Sequence, residues 1–245
     1  DSIVRDGSEN IASGEYSAVG GGQQNDAGAI GDAYNVIGGG DSNGCYGNKN
    51  TVSGGNYNGI FGNTFDTISG GLANVISGGS YSVITGGGGE STLNKIDRCD
   101  KSTISGGKQN RIRGFGGFGN TISGGIKNTI ENSEVQYHTI TGGYDNSAIG
   151  QGSVVSGGEL NRAIGTNSLA FGQNAATNFE HSMVVNLIGG VDEEDRLLGT
   201  KDGEFLVSAE SFRFQIGNGG NDGIESADIT KTNIQNLRTA MEEEE

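Results

Sequence analysis

Residues 101–130 read KSTISGGKQNRIRGFGGFGNTISGGIKNTI, and Thr-Ile-Ser-Gly-Gly occurs in them twice, at Thr103 to Gly107 and, 18 residues on, at Thr121 to Gly125. Working outward, the apolar residue of Ile/Val-x-Gly-Gly recurs at Val19, Ile37, Val52, Ile68, Ile84, Ile104, Ile122, Ile140 and Val155, at spacings of 15 to 20 residues. A second apolar series sits roughly midway between these positions, at Ile11, Ile30, Ile60, Ile76, Ile96, Ile112, Ile130, Ile149 and Ile164. Each period thus has two strand centres and two turns. Such a unit is too short to bury a face alone, so neighbours must stack. The pattern predicts an all-β fold: a parallel β-solenoid of about 16–18 residues per coil.

Two residues before most strand centres stands Asn or a small polar substitute: Asn50, Asn58, Asp66, Asn74, Ser82, Asn94, Ser102, Asn110, Asn120, Asn128 and His138. Asn tolerates left-handed backbone angles, and its amide can bond the same residue one coil on, so the series predicts a ladder at a corner. Paired Gly supply positive φ after each strand. The chain has no Pro, as expected where every strand is paired on both sides. About ten coils at ~4.8 Å each make a rod of roughly 50 Å.

Composition narrows function. The 245 residues include 48 Gly, and 30 acidic residues against 15 basic ones give a net charge of -15. That balance disfavours nucleic acid and anionic membranes as partners. No apolar run reaches the ~18 residues of a membrane span, which argues against membrane insertion, and no signal peptide precedes Asp1; a chain opening on Asp is expected to be processed or excerpted. Glycine thins out and acidity rises near Asn178. We therefore expect an N-terminal extension over 1–10, the solenoid over 11–178 and a separate region over 179–245. In that last region Met183 to Leu187 reads as a strand, Leu197 to Phe214 as a small β-hairpin turning at Lys201-Asp202-Gly203, and the residues from Asp228 as a short C-terminal helix, with Thr232 and Gln235 as a capping box.

Three stretches, Ala12 to Gly22, Asn120 to Gly125 and Asn167 to Gly172, resemble the head repeats of trimeric autotransporter adhesins of the YadA type. Asp202 to Ala209, with Phe212 to Phe214 after it, is similar to a module of bacterial surface and phage tail-fibre proteins. The resemblance implies a left-handed β-roll, a homotrimer and an extracellular adhesive role. The periods here are longer than the usual 14 or so residues of that family, and no C-terminal membrane barrel is seen.

Chemistry-bearing motifs are sparse. His138 and His181 are the only His, and no His-x-x-x-His, nucleophile elbow or phosphate-loop pattern occurs, so we expect no enzyme. Gly217 to Glu225 resembles one calcium-binding nonapeptide; such sites draw ligands from successive copies and this is a single copy, so calcium stands beside the plainer reading of an acidic loop. Cys45 and Cys99 lie about three coils apart, too far for a disulfide between regular corners, but the insertion that carries Cys99 could reach, and an even Cys count outside the cell favours some pairing.

One array stands out. Thr51, Thr67, Val83, Thr103, Thr121, Thr139 and Val154 precede the Ile/Val centres, and Ser53, Ser69, Thr85, Ser105, Ser123, Thr141 and Ser156 follow them. In a strand both columns face away from the core. One wall of the rod is therefore a uniform Thr/Ser sheet, whereas the other series carries varied and partly charged residues. Such a wall serves either as a packing face between protomers or as a regular ligand face for ice or a glycan; the abundance of Ser, which lacks the methyl of Thr, favours packing. The expectation is a non-enzymatic extracellular structural or adhesive fibre whose partner is itself, as a trimer or an end-to-end filament, with a cell-surface or glycan receptor as a further partner.

Overall fold

The computed structural model describes the chain apart from residues 90–91, 134–136, 191, 193–194, 211, 217–224 and 230–245. Its strands form two parallel sheets, and each coil gives one strand to each. Sheet A has 13 strands, from Ile3–Val4 to Phe205–Ser208; sheet B has 12, from Ile11–Ala12 to Leu197–Leu198. Successive coils pair in register, so Val52 opposes Ile68, then Ile84, Ile104, Ile122, Ile140 and Val155 in turn. All seven are fully buried. Each fully buried Ile contributes about 1.5–3 kcal/mol relative to exposure, and the regular stack repeats that gain along the axis.

Sheet B supplies the facing column, and here the structure corrects the sequence reading. Ala12, Ala27, Cys45, Ile60, Ile76, Ile96, Ile112, Ile130, Ala148 and Ala163 point inward in register. Ile11 and Ile30 are instead 50% and 99% exposed, and Ile149 and Ile164 are half-buried. For Ile11, Ile149 and Ile164 the slip is one residue, which exchanges the faces of a strand, whereas Ile30 lies three residues past Ala27 in a turn. What decides the face is the Asn two residues earlier: Asn10, Asn25, Asn43, Asn146 and Asn161 stand at that offset before Ala12, Ala27, Cys45, Ala148 and Ala163, and all but Asn10 are buried. The core is wide with Ile in the middle coils and narrows to Ala at both ends.

Corners are built from left-handed backbone. The residue in that conformation precedes the Asn rather than being it: Tyr57 before Asn58 has φ 54°, Gln109 before Asn110 has 60°, and Lys127 before Asn128 has 59°. The second Gly of each pair is required twice over. Gly125 has φ 82°, and a Cβ there would collide with the carbonyl oxygen of Gly143 in the next coil. Extra residues are taken up at the corners and strand ends, as where Lys95–Asp100 meets Arg111–Phe118 with a register shift between Asp97 and Cys99.

The solenoid overruns the boundaries expected from composition. Ile3–Val4 already pairs with Ala18–Val19, and Met183–Asn186 pairs with Phe205–Ser208 beyond Asn178. Leu197–Leu198 and Phe205–Ser208 lie in opposite sheets, so that segment is a last coil and not a hairpin. The antiparallel pair is instead Phe212–Ile216 with Glu225–Ile229. Asp228 and Ile229, where a helix was expected to begin, are strand; the rest of that expected helix lies outside the described residues. Among the described residues there is no α-helix.

Candidate assembly face and the Asn ladders

The single ladder expected from sequence is two, one at each corner. The first joins Asn10, Asn25, Asn43, Asn58, Asn74, Asn94, Asn110, Asn128, Asn146 and Asn161. Asn58 shows its chemistry. Its backbone N–H and Nδ2 both donate to Asn43 Oδ1, at 3.0 and 3.1 Å, and Nδ2 also donates to the carbonyls of Gly54 and Gly71, each at 3.0 Å. One carboxamide thus ties three coils together, and its hydrogen bonds offset the desolvation that burial imposes. The second ladder runs through Ser17, Asn35, Asn50, Asp66, Ser82 and Ser102, and Asn120 bonds His138 further along. Asn50 and Asn120 therefore belong to the second ladder, and Asn58, Asn74, Asn94, Asn110 and Asn128 to the first. The Gly-x-x-Asn spacing, as in Gly55 to Asn58 and Gly143 to Asn146, marks Asn25, Asn43, Asn146 and Asn161, which the apolar series passed over, but it also fits Asn50 and Asn120 and so does not separate the ladders.

His138 is buried in the second ladder. Nδ1 lies 2.8 Å from Asn120 Oδ1 and Nε2 3.1 Å from the Ile149 carbonyl. Burial holds its pKa below the usual imidazole value. Cys45 and Cys99 are both free and both fully buried, so the disulfide left open by the sequence is not made. Cys45 is a core residue of sheet B, three pairings away from the coil of Cys99, and burial pushes each thiol up to about 12. Among the described residues no group of three His, Cys, Asp or Glu could hold a metal ion. The calcium-like stretch, Glu225 apart, lies outside the described residues.

The Thr/Ser columns stand where the strand alternation puts them, on the outer wall of sheet A. Thr51 pairs with Thr67, and Thr103 with Thr121 and then Thr139. These Thr are half-buried; Ser53, Ser69, Ser105, Ser123 and Thr141, beside them, are exposed. Backbone groups beneath are engaged within the sheet, as where Ser123 N donates to Ile140 O at 3.0 Å, so the wall offers side chains alone. The same two columns continue through Ala18 and Gly20, Val36 and Gly38 at one end, and through Leu169 and Phe171, Met183 and Val185, Phe205 and Val207 at the other. No charged residue occurs in either column from Ala18 to Val207. The outer wall of sheet B differs: it carries Asp26, Lys95, Asp97, Arg111, Arg113, Glu131 and Arg162, with Lys95 Nζ and Arg113 Nε at 3.6 and 3.9 Å from Asp97. The chain matches no protein-family model, and a search of curated proteins finds no match to it.

Proposed function

We propose that the protein is a non-enzymatic extracellular fibre protein, structural and adhesive, that associates with copies of itself through the outer wall of sheet A. The observation that carries this reading is the absence of charge from that wall between Ala18 and Val207, in a chain of net charge -15. Copies of so acidic a chain repel one another, and this is the wall on which two can meet without opposing like charges. Small Thr and Ser side chains let flat sheets approach, and the apolar end at Phe171, Met183 and Phe205 adds hydrophobic contact. Twelve strand intervals at ~4.8 Å give a wall roughly 55–60 Å long, and a strip ~10 Å wide buries about 1,100 Å² over two partners. That is near the ~1,000 Å² threshold for a specific interface. Every coil is needed. The likeness to YadA-type head repeats favours a trimer; the strand edge left open at Ile3–Val4 suits end-to-end stacking into a filament.

The test is light scattering and electron microscopy of the native chain at neutral pH, with a Thr121→Arg variant. Trimers or filaments that Thr121→Arg disrupts are the expected result. A 25.1 kDa monomer at micromolar concentration overturns the reading. A second reading, a ligand face for ice or a glycan on this same wall, rests on the in-register Thr pairs; measurable thermal hysteresis would favour it.

A further inference from the structure

On the outer wall of sheet B a groove of about 320 Å³ runs along the axis between two ridges. One ridge is the left-handed corner, where Gln24, Ser42 and Tyr57 precede ladder Asn. The other is Tyr46 and Phe61, whose rings stack with centroids 5.7 Å apart and planes at 18°. The floor between them is Gly44 and Gly59, paired in register. Neither glycine has a positive φ, so the backbone does not call for glycine at either position. The rings do: a Cβ on Gly44 would come within 2.9 Å of the Tyr46 ring, and one on Gly59 within 2.5 Å of the Phe61 ring. The sequence has thus given up two side chains so that two aromatic rings can lean over a bare floor.

The rings remain accessible. Phe61 is 47% and Tyr57 62% exposed, and the coil after Phe61 places only Ser77 opposite it. Asp26 closes one end of the groove. Its Oδ2 accepts the Tyr46 hydroxyl at 3.0 Å, and its buried Oδ1 has no hydrogen-bond donor among the described residues.

We propose that this groove binds a neutral glycan, a short run of pyranose rings lying along the axis. A pyranose has an apolar C–H face and a rim of hydroxyls. The groove offers aromatic surface for the first and the uncharged donors and acceptors of Gln24, Ser42 and Tyr57 for the second. Other ligand classes fit less well. No Lys or Arg lines the groove, so a phosphate or sulfate finds no counter-charge. Gly44–Asn48 is paired on one side with Asp26–Ala27 and on the other with Gly59–Thr64, which leaves no free backbone edge for an added peptide strand. An organic cation would want a carboxylate facing it over the rings, but Asp26 is turned toward Tyr46 and into the wall. The groove lies on the opposite wall from the proposed assembly face, so the two proposals fail separately.

The test is saturation-transfer NMR and titration calorimetry on the full chain with cellotriose, maltotriose and triacetylchitotriose, beside sialyllactose and tetramethylammonium. Binding of at least one neutral trisaccharide is expected, weakened about tenfold or more by Phe61→Ala. Phe115→Ala, which removes an aromatic 58% exposed elsewhere on the chain, should leave it unchanged. Melting curves of both variants establish that they are folded. The proposal is overturned if none of the neutral sugars binds, if binding survives Phe61→Ala, or if tetramethylammonium or sialyllactose binds in their place.

Discussion

Asp66 stands in the second ladder where its neighbours use a carboxamide or a hydroxyl, and replacing it by Asn should stabilise the rod in a pH-dependent way. Its Oδ1 accepts the Ser82 N–H at 2.7 Å, while its buried Oδ2 has no donor among the described residues. One coil earlier, Asn50 uses the equivalent Nδ2 to donate to the carbonyls of Tyr46 and Asn63, at 2.8 and 2.9 Å. Burial pushes the Asp66 pKa from 3.8 up to about 6, with the Ser82 N–H and the Asn63 side chain offsetting only part of the rise. The folded chain therefore holds this proton more tightly than the unfolded chain does. The stability from that preference is complete below pH about 4 and is lost as pH rises through about 6. Two units at ~1.4 kcal/mol each set a ceiling of about 3 kcal/mol, and partial access of water to the carboxyl reduces it to about 1–2 kcal/mol. Asp66→Asn should raise the melting temperature at pH 7 by roughly 2–8 °C for a domain of this size, and by much less at pH 4. Circular dichroism melts of parent and variant at both pH values measure this directly. A variant that melts at or below the parent at pH 7, or that gains equally at both, refutes the reasoning.

Three further outcomes follow from the core and the corners. Ile122→Asp places an unpaired charge among fully buried residues and should cost several kcal/mol; an unchanged melting curve would mean that Ile122 does not face inward. Gly125→Ala combines a φ of 82° with a backbone collision and should cost more than ~2 kcal/mol, whereas Gly116→Ala, at φ 77° with open space around the new methyl, should cost only about 1 kcal/mol; equal losses would show that crowding between coils is not what selects glycine. Cys45 and Cys99 should resist a thiol reagent at pH 8 until the chain is denatured, and rapid labelling of either in the native protein would contradict their burial.

The fold was legible where side-chain size and position agreed. In sheet A every inward residue from Val19 to Val155 is Val or Ile, and the Gly-Gly turn follows at a fixed offset. Sheet B was legible only in its middle. At its ends Ala and Cys fill the core while Ile11, Ile149 and Ile164 stand one residue away and Ile30 three, so hydrophobicity misleads and the Asn offset does not. The two ladders merged in the sequence because both corners place their polar residue two before a strand centre, and Gly stands three residues before Asn50 and Asn120 as it does before most Asn of the first ladder. Leu197 to Phe214 read as a hairpin because Asp202-Gly203 is a strong local turn signal, and stacking on the previous coil overrides it. The two columns of the proposed assembly face followed directly from strand alternation. The sheet B groove did not, because its ridges come from three coils whose spacing varies.

The first ladder also gives the rod a direction. Each Asn accepts, through Oδ1, from the coil that follows it: Asn43 from Asn58, Asn58 from Asn74, Asn128 from Asn146 and Asn146 from Asn161. The carboxamides are all aligned in one sense, so their polarisation accumulates along the column. The two ends of the column are chemically unlike: at one, Asn10 Nδ2 donates to the carbonyls of Asp6 and Gly22, and at the other, Asn161 Oδ1 accepts the Ala175 N–H. Rods that stack head to tail keep this sense from one to the next, and a filament grown that way is a vector, with distinct ends at which subunits join and leave at different rates.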